Sequence, residues 1–219
     1  MNPWSSFPPA SCYPDQCNCE LTRDALIRQP SAFWSSLAYI FVALFIYREI
    51  AHKSVDLKMW ASVCFLMGLS SLFGHASFIN LALALDFASI ILVLSFFALL
   101  NLLRAYQQSL VKIFLCFFLY YVSLFVAMYY MGKWPKIFFC LVIFVFSLAD
   151  IIRTYGMGFL KNQTLQLSLG ILGISFGMFL VDEFHVGCVP ESWFQWHSLW
   201  HIGTAVSMYY YGKWRFTCV

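Results

Sequence analysis

Apolar residues run along this chain in long blocks, not in the narrow stripes of a soluble helix or the alternation of a half-buried strand. Seven blocks fall at about residues 32–50, 59–77, 79–103, 110–131, 135–152, 164–181 and 194–212. Each is near the ~20 residues that a helix needs to cross ~30 Å of hydrocarbon. The pattern therefore predicts an all-α membrane protein, a bundle of seven transmembrane helices. The first block is the weakest, because Arg48 and Glu49 clip its end. From Met59 to Leu103 only Asp86 is charged, and those 45 residues are too long for one span, so the chain must turn inside them. Gly74, Ser77 and Asn80 mark the expected turn.

Polar segments frame these blocks. Residues 1–31, rich in Pro and Cys, lack the basic start and apolar stretch of a signal peptide and read as a cap outside the bilayer. Residues 32–219 form the seven-helix domain. Lys and Arg divide unevenly between the two ends: Arg23, Arg28, Lys133 and Lys136 on one side, the other nine on the opposite side. The positive-inside rule places the larger set in the cytoplasm, with the N-terminus outside and the C-terminus inside. The related strings "MYYMGKW" (128–134) and "MYYYGKW" (208–214) read as interfacial aromatics closing a helix, with a snorkelling Lys. The sequon "NQT" at 162–164 falls on the inner side, where no glycan is expected.

Composition agrees with the pattern. The chain of 219 residues is 62% hydrophobic and 11% charged, beyond what a soluble core requires. A net charge of +3 with no basic run gives no footprint for nucleic acid, and no glycine-rich phosphate loop is present.

Ionisable groups in hydrocarbon cost about 2.5–3.5 kcal/mol on insertion scales and need partners. Here they are His75, Asp86, Asp150, His197 and His201, with Ser71 one turn before His75. Taking alternate helices as antiparallel, all but Asp150 fall within the outer third of the bilayer. Asp150 lies at the other end, where Arg153 is its natural ion-pair partner. His197 and His201, at i and i+4, share a helix face and can reach one ion. His75 completes a three-His set, which leaves a fourth position open, the pattern of a catalytic zinc that acidifies water. No Glu lies between the paired His, unlike the H-E-x-x-H proteases. Asp86, the only nearby membrane carboxylate on this reading, is assigned the general acid/base work. Ser71 could donate a hydrogen bond to an oxyanion or orient the water. Bis-His haem does not fit, because His197 and His201 share one face.

At Ser71-x-x-x-His75, Asp86 and His197-x-x-x-His201, in seven helices in this order, the chain resembles the superfamily of alkaline ceramidases, adiponectin/progestin-type receptors and haemolysin-III-type proteins. The alkaline ceramidase branch fits best, through "CNCE…QPSAFWSSLAYI" before the first helix and "VDEFHVGC" before the last. The resemblance implies an intramembrane zinc amidase that cleaves ceramide into a sphingoid base and a fatty acid. Zinc would be held by His75, His197 and His201, with catalytic roles for Asp86 and Ser71. It also implies a calcium site in the N-terminal segment, for which this chain offers Asp15, Asn18 and Glu20. Ala32 stands where the family has an acidic residue before Phe33-Trp34, which thins that set. A disulfide from the N-terminal segment to the last outer loop is implied too, pairing Cys188 with Cys19 or Cys17; the C-x-C could instead bind metal. Cys64, Cys116 and Cys140 lie in helices as small apolar packers. The expected partner is a membrane lipid, ceramide or a related acyl amide. The bacterial look of the N-terminal motif favours an inner membrane over the endoplasmic reticulum or Golgi. A receptor-like protein with a structural metal, or a hydrolase of another acyl lipid, are the alternatives.

Overall fold

The computed structural model describes residues 3–10, 18–49, 54–156 and 161–217. Seven helices follow in order: α1 (Pro30–Glu49), α2 (Val55–Ser77), α3 (Asn80–Ala105), α4 (Leu110–Tyr130), α5 (Lys133–Tyr155), α6 (Gln163–Glu183) and α7 (Trp196–Thr217). No β-strand occurs among the described residues, only an isolated bridge between Pro9 and Ile79. Helices α1 to α6 are long and apolar enough to cross a bilayer, which marks a membrane protein. The least apolar helix is thus α7, not the first: it carries the His pair together with Lys213 and Arg215.

Local chemistry sets the helix ends. Ser54 Oγ accepts from the N–H groups of Asp56 and Leu57 and starts α2. Asn162 does the same for Thr164 and Leu165 at α6, so the sequon asparagine is a helix cap. Helix α1 opens with Pro30, whose missing N–H costs nothing there. The turn between α2 and α3 is tighter than the sequence suggested. It consists of Phe78, left-handed at φ 52°, and Ile79. Gly74 lies inside α2, where a Cβ would stand 3.5 Å from Asp86 Cβ; its role is close packing against α3 and not turning. The two "MYY" strings also differ. The first runs from the end of α4 into the start of α5, whereas the second is continuous helix within α7.

The helices pack α6–α7–α1–α2–α3, with α4 and α5 both on α3. At Gly68 the α1 and α2 backbones come so close that a Cβ would stand 2.6 Å from Ile40 Cγ1. The core gathers on α2, α3 and α7, where Trp60 packs among Phe96, Phe97 and Tyr211 and donates from Nε1 to Met208 O. Tyr39 OH and Thr204 Oγ1, 2.7 Å apart, tie α1 to α7. At the end of the bundle away from the histidines, Asp150 accepts from both Arg153 and Asn101, and Arg215 donates to Asn101. The expected Asp150–Arg153 pair is therefore part of a network joining α3, α5 and α7. Helices α5 and α6 pack little on one another, and a cavity of about 460 Å³ lies between them, reaching α3 and α7.

Candidate metal centre

Three helix ends meet at one level of the bundle. His75 lies in the last turn of α2, Asp86 in the second turn of α3, and His197 and His201 in the first two turns of α7. The ring centroids are 5.1 Å (His75–His197), 5.0 Å (His75–His201) and 4.6 Å (His197–His201) apart. One ligand atom of each ring falls within 4.8 Å of those of the other two.

The surroundings decide which nitrogen each ring offers. His75 Nδ1 is 2.7 Å from Gln29 Oε1, an acceptor, so Nδ1 carries the proton and Nε2 the lone pair. His201 Nδ1 lies 3.2 Å from Ala32 O, 3.0 Å from Ser35 Oγ and 3.3 Å from Ser36 Oγ. Both hydroxyls already donate to Ala32 O, so all three oxygens act as acceptors toward the ring. His197 Nδ1 faces Asp182 Oδ2 at 3.6 Å, beyond hydrogen-bond distance but within ion-pair reach. Each Nδ1 is thus directed to an oxygen, and each Nε2 is left to ligate. His75 Nε2 is buried and has no partner at all. Carboxylate or carbonyl acceptors behind metal-bound imidazoles are the usual outer shell of a zinc site. The residues fit a three-His metal centre.

Asp86 and Ser71 stand beside it. Asp86 is 7% exposed and its Oδ1 has no hydrogen-bond partner. The fully buried Ser71 hydroxyl pairs with Ser36 Oγ at 2.9 Å and faces the Asp86 carboxyl. His75, Asp86, His197 and His201 all line the cavity between α5 and α6. Its remaining lining is mainly apolar, including Leu141, Phe144, Leu172 and Phe176.

Asp86 is not the only carboxylate near the centre. Asp182, which the sequence pattern left in a charged loop, belongs to the last turn of α6 and is 1% exposed. The block ending at residue 181 stopped one position short of it. Gln29, Ser35 and Ser36 were likewise missed: they are polar residues just before α1 and in its first two turns, with no spacing to mark them. Only the resemblance of "VDEFHVGC" carried a hint of Asp182.

The N-terminal segment lies across this end of the bundle. Arg28 and Gln29 N–H donate to Ala76 and His75 O, and Leu21 N–H donates to Pro190 O. Cys19 is disulfide-bonded to Cys188, and its N–H donates to Asp182 Oδ2 at 3.4 Å. Cys17, the other candidate for that bond, lies outside the described residues, as does Asp15.

The described members of the expected calcium set, Asn18 and Glu20, make other contacts. Glu20 accepts from Ser31 N–H at 2.7 Å with one oxygen and from Ala32 N–H at 2.9 Å with the other, capping α1 from a distance. Asn18 turns its amide toward Gln29 Oε1. Among the described residues the three histidines alone form a metal-ligand cluster of three or more. Burial pushes the Glu20 carboxyl above its usual range, opposed by the two backbone donors.

Comparison with protein-family models, with curated proteins and with solved structures finds no match. Function is therefore argued from the geometry of the site.

Proposed function

We propose that this chain is a seven-span, intramembrane zinc hydrolase of lipid amides, with ceramide as the first substrate to test. The observation that carries the reading is the common orientation of three buried imidazoles, each with Nδ1 turned to an oxygen and Nε2 left free. Packed histidines would spend both nitrogens on hydrogen bonds. The likeness of the Ser71, His75, Asp86, His197 and His201 pattern to the alkaline ceramidases supports the same reading.

A zinc ion held by His75, His197 and His201 would supply Lewis acidity and lower the pKa of water. The chain's own groups do the rest. Asp86, with a free oxygen on the cavity wall, takes a proton from the attacking water and returns it to the leaving amine. Ser71 stands beside the Asp86 carboxyl and would turn its hydroxyl from Ser36 toward a developing oxyanion. Asp182 and Gln29 fix two of the rings. The acyl chain lies along the apolar wall between α5 and α6, where access from the bilayer is lateral. Cap and site share one end of the bundle, placed outside by the positive-inside count, in a bacterial inner membrane by the N-terminal likeness.

The test is to purify the protein in detergent, measure its metal stoichiometry and incubate it with ceramides, N-acyl amines and acyl esters under mass-spectrometric detection. Stoichiometric zinc and release of fatty acid from amides are expected. Metal without product would favour a receptor-like protein, and ester cleavage alone would move the substrate class.

A further inference from the structure

Lys136 is the one cation that the mechanism leaves unused inside the cavity. It sits in the first turns of α5, at the same end of the bundle as the histidines, and is only 2% exposed. A lysine near a helix end normally extends outward to the polar interface. This one turns inward and lines the cavity together with His75 and Asp86. Its ammonium stands 5.4 Å from the centroid of the Phe87 ring, and no described carboxylate or hydrogen-bond acceptor pairs with it. A cation–π contact offsets only part of the cost of withdrawing an ammonium from water. Asp86 and Glu183 also line the cavity, from α3 and α6, and among the described residues no ion pair to Lys136 is seen.

A buried cation with no ion-pair partner on the described chain calls for an anion from the ligand. We propose that Lys136 binds an anionic oxygen group at the polar end of the acyl lipid in the cavity. The ligand would be an amphiphile bearing a carboxylate or a phosphate; with ceramide, whose own headgroup is neutral, this is the released fatty acid. For the acyl ligand itself this rests on the lipid-hydrolase reading, which it deepens: it adds an anionic partner to the amide substrate or its released fatty acid. The charge is met by α5, whereas the metal ligands stand on α2 and α7.

Binding to the full chain tests this without any turnover. The purified protein in neutral phosphatidylcholine nanodiscs would be titrated with oleate, oleyl phosphate and oleyl alcohol, which share one tail. At least one anion is expected to bind about tenfold or more tightly than the alcohol, as a charge-assisted hydrogen bond provides. The preferred anion identifies the source of the charge. Lys136→Met and Lys136→Gln should both bring that anion to within about twofold of the alcohol. Lys136→Arg should retain the preference, and so should the unaltered protein after treatment with a strong chelator. A preference that survives both neutral variants, or that disappears on chelator treatment, would place the anion on the metal centre and overturn the proposal. Equal binding of all three probes by the unaltered protein would overturn it as well. The hydrolase reading fails separately, by absence of product from the lipid panel.

Discussion

Asp182 Oδ2 stands 3.6 Å from His197 Nδ1, with the carboxylate 1% exposed and the same oxygen accepting from Cys19 N–H. The contact joins three parts of the chain: the end of α6, the start of α7 and the N-terminal cap. A carboxylate behind a ligating imidazole holds its tautomer and makes the free nitrogen a better donor.

Replacing Asp182 by Asn should therefore weaken metal binding while leaving the three rings in place. The expected loss is about 10- to 100-fold in zinc affinity, the usual effect of removing such a partner. Competition with a chromophoric chelator would measure it, and an unchanged affinity would rule Asp182 out as an orienting group.

Asp86→Asn separates chemistry from metal binding. The carboxyl is not needed to hold the ion, and its Oδ1 has no partner to lose. Hydrolysis should fall about 10²- to 10⁴-fold, the typical contribution of a positioned acid/base, with zinc stoichiometry unchanged. His197→Ala should lose metal and activity together. If Asp86→Asn kept full turnover, the proton-transfer role would belong to another group.

The helices and the meeting of the three histidines were legible in the sequence for simple reasons. Block length sets the number of helices, and an alternating up-and-down path puts His75, Asp86 and His197 at one depth. What depth cannot give is rotation about each helix axis. Gln29, Ser36 and Asp182 reach the rings only because the start of α1, α2, α6 and α7 turn particular faces to one another, and no period in one segment encodes that. Gly74 misled for a related reason. Read along the chain it looks like a turn, whereas its missing side chain makes room for Asp86 across the helix interface.

The Cys19–Cys188 bond closes a loop with a sequence separation of 169. Chain-entropy estimates for a loop of this length reach ~4–5 kcal/mol. They apply poorly here, because helices held in a bilayer do not become a random coil when the protein loosens. Cys188→Ser should thus cost about 2 kcal/mol, at the low end of the usual range. Its larger effect should be on the metal centre, since Cys19 N–H helps to fix Asp182. Thermal unfolding in detergent checks the first effect and the zinc dissociation rate the second. If neither changed, the bond would be incidental to the site.

Glu20 gives the cap a dependence on pH of definite sign. Burial raises its carboxyl above the ordinary value, and the Ser31 and Ala32 N–H groups only partly oppose this. Between the ordinary and the raised value, the folded protein holds a proton that the unfolded chain has already released. Stability from this group is therefore fully present below the ordinary carboxylate pKa and declines as pH rises through that window. Glu20→Gln removes the titration and replaces one acceptor oxygen with a donor amide, which cannot accept from α1. The variant should be less stable at every pH. The margin between it and the unaltered protein should be widest in acid, narrow as pH rises through the window, and stay constant above it. Paired thermal melts across weakly acidic to neutral pH would show this. A margin that widened with rising pH would mean that the backbone donors outweigh burial and that the carboxylate, not the acid, is the favoured form.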